Sequence, residues 1–214
     1  MRRGFFVTFE GVDGCGKSTQ AELLANRLRG EGRSVVVTRE PGGGTIPEKI
    51  RALLLDPCNS EMVNECELLL YLAARAQHVR EKILPALEEG AIIICDRFQE
   101  ATFAYQGFGR KVPLAILRQM NSFATGDLDP DLTFIFDLPI ERAFERLTSV
   151  KKPIDRLEAN GPDFFKRVRN GYRSVAGATP HRITILDGTL PLEVLAEKVY
   201  AIMIEKLKDL SFLR

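Results

Sequence analysis

The 214-residue sequence has almost no net charge: 30 Lys and Arg against 29 Asp and Glu leave +1. That excludes the broad basic field of a nucleic-acid-binding protein and leaves room only for a local basic site. Its four cysteines, Cys15, Cys58, Cys66 and Cys95, make no C-x-x-C pair. They read as reduced cytosolic thiols, not as a disulfide or zinc framework. No apolar run approaches the length of a membrane span. Met1-Arg2-Arg3 precedes only the short run 5–9, too brief for a secretory signal. A cytoplasmic protein without a membrane or nucleic-acid partner is expected. Internal repeats, low-complexity tracts and clear linkers are absent, as is the N-K-x-D motif of a guanine-binding GTPase.

What is present starts with residues 5–18, an apolar run followed by Glu10 and GVDGCGKS. The octapeptide fits G-x-x-x-x-G-K-[ST], the phosphate-binding P-loop. Gly11, Gly14 and Gly16 let bare backbone approach phosphate oxygens. The N–H groups of Val12, Asp13, Cys15 and their neighbours then face an anion at a helix start, where the dipole also favours negative charge. Lys17 is expected on the β- and γ-phosphates, and the Ser18 hydroxyl on Mg²⁺. A helix follows, with Ala21, Leu24, Ala25 and Leu28 on one face. Cys15 is either a reactive thiol or simply a small side chain.

Apolar runs at 5–9, 35–38, 91–95, 132–138 and 182–186 alternate with helical patterns at 46–55, 65–80, 114–123 and 193–208. That alternation predicts an α/β fold, a parallel sheet of about five strands with helices on both faces. The length of 214 residues and 45% hydrophobic content suffice for one domain, 1–214. In such folds ligands gather beyond the carboxyl ends of the strands. The loop after the second strand is Arg39-Glu40-Pro41-Gly42-Gly43-Gly44-Thr45, with Thr45 a candidate helix cap. On its own, Arg39 reads equally well as a solvated turn residue. The third strand runs into Asp96-Arg97, and a carboxylate there is the usual acidic partner of Mg²⁺ near a P-loop. Arg97 offers a two-pronged guanidinium for a phosphate.

Together these residues resemble the thymidylate kinase family, specifically its bacterial type. The matching motifs are FEGVDGCGKST (9–19), TREPGG (38–43), LAAR-x-x-H (72–78), Asp96-Arg97 leading into AYQG (104–107), PDLTF (130–134) and DRLE (155–158). The resemblance implies a P-loop nucleoside monophosphate kinase fold and transfer of the γ-phosphoryl of ATP to dTMP, giving dTDP and ADP in dTTP synthesis. It places Gly11 to Thr19 on ATP and Mg²⁺ on Ser18 and Asp96. For dTMP it implies Asp13 on the sugar 3′-hydroxyl, Arg39 and Arg97 on the phosphate, and Tyr71 stacked on thymine. Arg75 reads the thymine edge, Thr102, Tyr105 and Gln106 line the pocket, and Arg51 approaches it. Tyr71 stands where the family usually has Phe, and without the resemblance it reads better as core. His78 reads as support rather than a general base, and the reaction needs none. A homodimer is implied, with each site inside one subunit.

A short basic lid, about 148–158, completes the expectation. Members carry a catalytic Arg either in the P-loop or in the lid, and Gly14 occupies the P-loop position here. The lid offers Lys151, Lys152 and Arg156; Arg156 is expected to act because it lies in the matched DRLE motif, with Lys151 and Lys152 as the other candidates. Arg146, at the lid's entry, and the loop at Asp187-Gly188 are expected beside adenine. A kinase for UMP, CMP or AMP, and a P-loop binding module without catalysis, are the alternatives.

Overall fold

The computed structural model describes residues 4–149 and 155–212. Five strands, β1 (Phe5–Glu10), β2 (Val35–Arg39), β3 (Ile92–Asp96), β4 (Leu132–Asp137) and β5 (Ile183–Asp187), form one parallel sheet in the order β2-β3-β1-β4-β5. Each lies within a residue of its apolar run. The helices are α1 (Lys17–Gly30), α2 (Thr45–Leu55), α3 (Asn64–His78), α4 (Leu84–Glu88), α5 (Gln99–Thr102), α6 (Leu114–Thr125), α7 (Ile140–Ser149), α8 (Gly161–Ala178) and α9 (Leu192–Phe212).

Successive β1 side chains point to opposite faces, and both faces are covered. Phe5, Val7 and Phe9 pack with Ala21, Leu24 and Leu28 of α1 and with Leu195, Val199 and Met203 of α9. Phe6 and Ile93 pack the other way, against Val79, Ile83 and Leu87. Two of the hydroxyls this sheet buries, Thr8 and Thr133, satisfy each other at 2.8 Å. Register sets the functional edge: Phe9 of β1 lies opposite Asp96 of β3, and Asp96 opposite Arg39 of β2. The P-loop, the Asp96-Arg97 turn and the β2 loop therefore leave the sheet side by side.

Three features differ from the sequence pattern. Gly44, in extended conformation, occupies the N-cap of α2 without a side-chain bond, and Thr45 is the first helical residue instead of the cap. The α3 helix continues through a π-helical turn, Val79–Ile83, into α4, and α5 continues through a second, Phe103–Gly109. The expected lid borders α8, an 18-residue helix that begins at Gly161-Pro162. Its apolar positions, Phe164, Phe165, Val168, Tyr172 and Ala176, are buried in the core.

Candidate active site

Gly16 stands before α1 at φ 93° with no side-chain cap, so the first N–H groups of the helix are left for an anion. Lys17 Nζ is 3.3 Å from Asp13 Oδ1 and 4.0 Å from Asp96 Oδ1. The Ser18 hydroxyl donates to Asp96 Oδ2. Asp96 Oδ1 is buried without a hydrogen-bond partner among the described residues. An orphaned carboxylate oxygen beside a hydroxyl and a lysine suits Mg²⁺, which takes one or two carboxylates and completes its shell with water and substrate phosphates. Among the described residues no group of three or more His, Cys, Asp or Glu could enclose a metal without such help. Cys15 is 1% exposed. Burial pushes its thiol up against the pull of Lys17. It stays protonated and fills space.

Gly14 has φ 80°, and a Cβ there would stand 2.7 Å from the Ala143 carbonyl oxygen of α7. This P-loop has no room for the side chain that the other subtype carries. Arg146, further along α7, donates to the carbonyls of Gly14 and Gly188, each at 3.3 Å. It bridges the P-loop and the loop after β5. Thr19, Gly188, Leu190 and Leu192 line the cleft outside that bridge.

On the other side of Asp13 lies a second cleft. It gathers Asp13, Arg51, Tyr71, Arg75, Arg97, Thr102, Tyr105 and Gln106, eight of the nine residues expected at an acceptor. Arg97 has φ 73°, and this left-handed turn at the end of β3 aims its side chain back across the P-loop. Its Nη2 donates to Asp13 Oδ1 at 2.7 Å and to the Tyr105 hydroxyl at 3.1 Å. Burial would raise the Asp13 carboxyl, but Arg97 and Lys17 outweigh it and hold the group far below the usual range.

The floor of the cleft is a wired guanidinium. Arg75, 2% exposed, donates from Nε to Glu40 Oε2 at 2.7 Å and from Nη1 to Thr102 Oγ1 at 2.7 Å and to Asn121 Oδ1. Nη2 makes no hydrogen bond among the described residues. His78 stands behind, bonded to Glu40 Oε1 at 2.9 Å and to Thr38 Oγ1 at 2.8 Å. Burial would raise Glu40, but Arg75 and His78 keep it ionised. Glu40 is fixed by the β2 loop, where the Glu40–Pro41 bond is cis and Arg51 donates to the Pro41 carbonyl at 2.9 Å. A Cβ on Gly43 would come within 2.6 Å of both Thr38 Oγ1 and His78 Nε2, so only glycine lets this loop lie on that pair.

Two residues sit elsewhere than expected. Arg39 is held by Glu48 at 3.0 and 3.1 Å and lines the adjacent cleft with Ser18 and Asp96, not the cleft of Tyr71 and Arg75. Arg156, expected as the mobile lid cation, is only 8% exposed. Its Nη2 lies 2.7 Å from Glu67, its Nε donates to the Leu54 carbonyl at 2.8 Å, and its backbone N–H to Leu55 at 3.1 Å. Glu67 also accepts from Gln106 and Arg110, which explains the burial: a carboxylate this deep needs several cations and donors. Lys151 and Lys152 lie outside the described residues.

The thymidylate kinase family model matches residues 9–199. The chain belongs to the thymidylate kinase family. It is 47% identical over 208 residues to a thymidylate kinase of Geobacter sulfurreducens, covering 95% of this chain and 98% of that one. Against the enzyme of Citrifermentans bemidjiense identity is 50% over 192 residues, 87% of this chain and 85% of the other. A crystal structure of thymidylate kinase from Ehrlichia chaffeensis superposes with a TM-score of 0.75 at 33% identity, covering 94% of this chain and 98% of its own.

Within that family frame, several residues that shape the site gave little signal in the sequence. Glu40 stood inside a matched motif, yet only its hydrogen bonds reveal it as the counter-charge of Arg75. Asn121 on α6 and Glu67 on α3 are polar positions on otherwise half-apolar helices, a pattern that exposed faces share. Asp155 and Leu157, at the far end of the expected lid, line the same cleft as Tyr71 and Arg75.

Proposed function

We propose that this chain transfers the γ-phosphoryl group of ATP to dTMP, giving dTDP and ADP. The observation that carries the reading is the cleft itself. Eight residues expected at an acceptor meet there, joined to the P-loop through the 2.7 Å pair of Arg97 and Asp13. Family membership supports the same reaction. A pyrimidine fits between the face of Tyr71 and the free edge of Arg75, where a guanidinium donor meets a carbonyl. The phosphate then lies toward Arg97, in line with the nucleotide on Lys17. Its oxygen is already a competent nucleophile near neutral pH, so no general base is assigned.

Mg²⁺ is held by Asp96 and Ser18 in this reading, and when bound it neutralises phosphate charge. Asp13 keeps Lys17 and Arg97 oriented and offers an oxygen to the sugar hydroxyl. Arg39 serves the acceptor phosphate only after leaving Glu48, a surface pair of the kind that exchanges readily. Gly14 has no space for a catalytic side chain and Arg156 is tied into a structural ion pair. The charge above the transferring group therefore falls to Lys151 and Lys152, and Arg156 anchors the lid's far end. Sheet and helices act as one domain, with 148–158 as its lid.

Exposed apolar residues on α2 (Ile46, Leu53), α3 (Leu69) and α6 (Ile116, Phe123) support a homodimer; Phe123 is 87% exposed. The deciding experiment offers dTMP, dUMP, UMP, dCMP, CMP, AMP and GMP separately with Mg²⁺–ATP and follows ADP release. Clear preference for dTMP is expected. Preference for another monophosphate would remove the thymine assignments, and no turnover at all would leave a binding module.

A further inference from the structure

Arg97 has five N–H donors, and four are occupied by the protein. Nη2 serves Asp13 and Tyr105. Nη1 serves the Gly11 carbonyl and the Tyr172 hydroxyl, each at 3.0 Å. Only Nε–H has no partner among the described residues. A guanidinium so committed cannot grip a phosphate with two prongs until one edge is released.

The two edges are not equivalent. Asp13 and Tyr105 line the acceptor cleft. Their groups can turn to other partners, since Asp13 already bonds Lys17 and Tyr105. The Nη1 edge faces the interior. Tyr172, on α8, is 2% exposed and does not line the cleft. Its hydroxyl donates to Glu10 Oε2 at 2.9 Å while accepting from Arg97. Glu10, fully buried at the end of β1, uses its other oxygen to accept the Phe98 N–H at 2.6 Å. One carboxyl therefore holds the left-handed Arg97 turn twice, through the next backbone amide and through the arginine's own head group. Tyr172 joins α8 to that clamp, and its ring packs edge-on against Tyr105 at 6.3 Å.

We infer that Tyr172, held by Glu10, is the positioning residue that pins Arg97 by its Nη1 edge, so that the Nε–Nη2 edge passes from Asp13 and Tyr105 to the phosphate of the acceptor nucleotide. The inference rests on the acceptor reading above. It requires no contact between Tyr172 and substrate.

The test is steady-state kinetics of Tyr172→Phe, which removes one hydroxyl and keeps the ring. The KM for dTMP should rise at least about 10-fold, the low end of the effect of one hydrogen bond on a charged group, with the KM for ATP within about twofold of the parent. In an Arg97→Lys background the same substitution should change nothing further, because its effect runs through Arg97. Glu10→Gln, compared with the parent above pH 8 where the Glu10 carboxylate is ionised and accepts from Tyr172, gives a second route, with the same selective rise in the KM for dTMP. Equal rises for both substrates, a dTMP KM unmoved in both variants, or an undiminished effect in the Arg97→Lys background would each overturn the inference. Failure of the unsubstituted protein to phosphorylate dTMP would overturn it together with the acceptor reading; turnover with an unaffected Tyr172→Phe would overturn it alone.

Discussion

Arg75 shows how one side chain can be legible in kind and opaque in detail. Its spacing from Tyr71 puts both on one helix face. Nothing in the sequence says that three of its contacts go to Glu40, Thr102 and Asn121. Those contacts make lysine a poor substitute, since an ammonium cannot span two directions from one plane. Arg75→Lys should raise the KM for dTMP at least about 10-fold and lower stability by about 2 kcal/mol, the cost of leaving Glu40 buried with a weaker partner. Kinetics and thermal melting check both. Arg156 shows the opposite case: its motif was visible and its place was not. Burial on Glu67 predicts that Arg156→Ala lowers the melting temperature by several degrees and weakens dTMP binding through the wall at Leu157. Lys152→Ala should leave melting unchanged and lower kcat. A kcat loss confined to Arg156→Ala would return the catalytic charge to that residue.

Strands announced themselves because buried parallel strands are continuous apolar runs, and no other reading of 132–137 or 92–95 is economical. Helix α8 showed only as a helical pattern of undefined extent after the lid, because Gly171 and Gly177 interrupt it and Gly161-Pro162 looks like a turn. Gly171 has a packing reason: a Cβ would meet the Phe108 side chain at 2.8–2.9 Å. The π-helical turn carrying Tyr105 and Gln106 was hidden because period counting assumes 3.6 residues per turn. Packing of α7 onto the P-loop carries its own prediction. Gly14→Ala places a Cβ 2.7 Å from a backbone oxygen at a φ of 80°, and both features oppose it. A loss of about 2 kcal/mol in stability, with a raised KM for ATP, is expected from denaturation and kinetics. An unchanged variant would mean that α7 moves aside freely.

For the molecule as a whole, the buried carboxyls divide by sign. Burial, aided by Glu100, pushes Glu10 from an ordinary 4.5 up to about 8. Its folded value is the higher one, so between those values the unfolded chain binds fewer protons, and stability falls as pH rises. Glu40, Glu67 and Asp137 are held below their ordinary values by arginine and other partners despite burial. Their contribution is present above those values and is lost as pH falls through the folded ones. Melting curves should therefore show an acid limb and a separate decline toward pH 8, and Glu10→Gln should flatten only the second. Parallel curves for parent and variant would assign that decline to another group. The apolar face of α2, α3 and α6 gives a further expectation: Phe123→Lys should reduce the sedimentation coefficient if that face joins two copies, and leave it unchanged if it does not.

Helix α6 belongs to both stories. One side carries Phe123 and Ile116 outward, and the other sends Asn121 to Arg75. In a protein that pairs through this face, dilution becomes a substrate-affinity experiment. As copies part, the helix loses its outer support, and the Arg75 guanidinium loses some of its firmness. Titrations of dTMP at nanomolar and micromolar enzyme should then disagree, with the weaker value at the lower concentration.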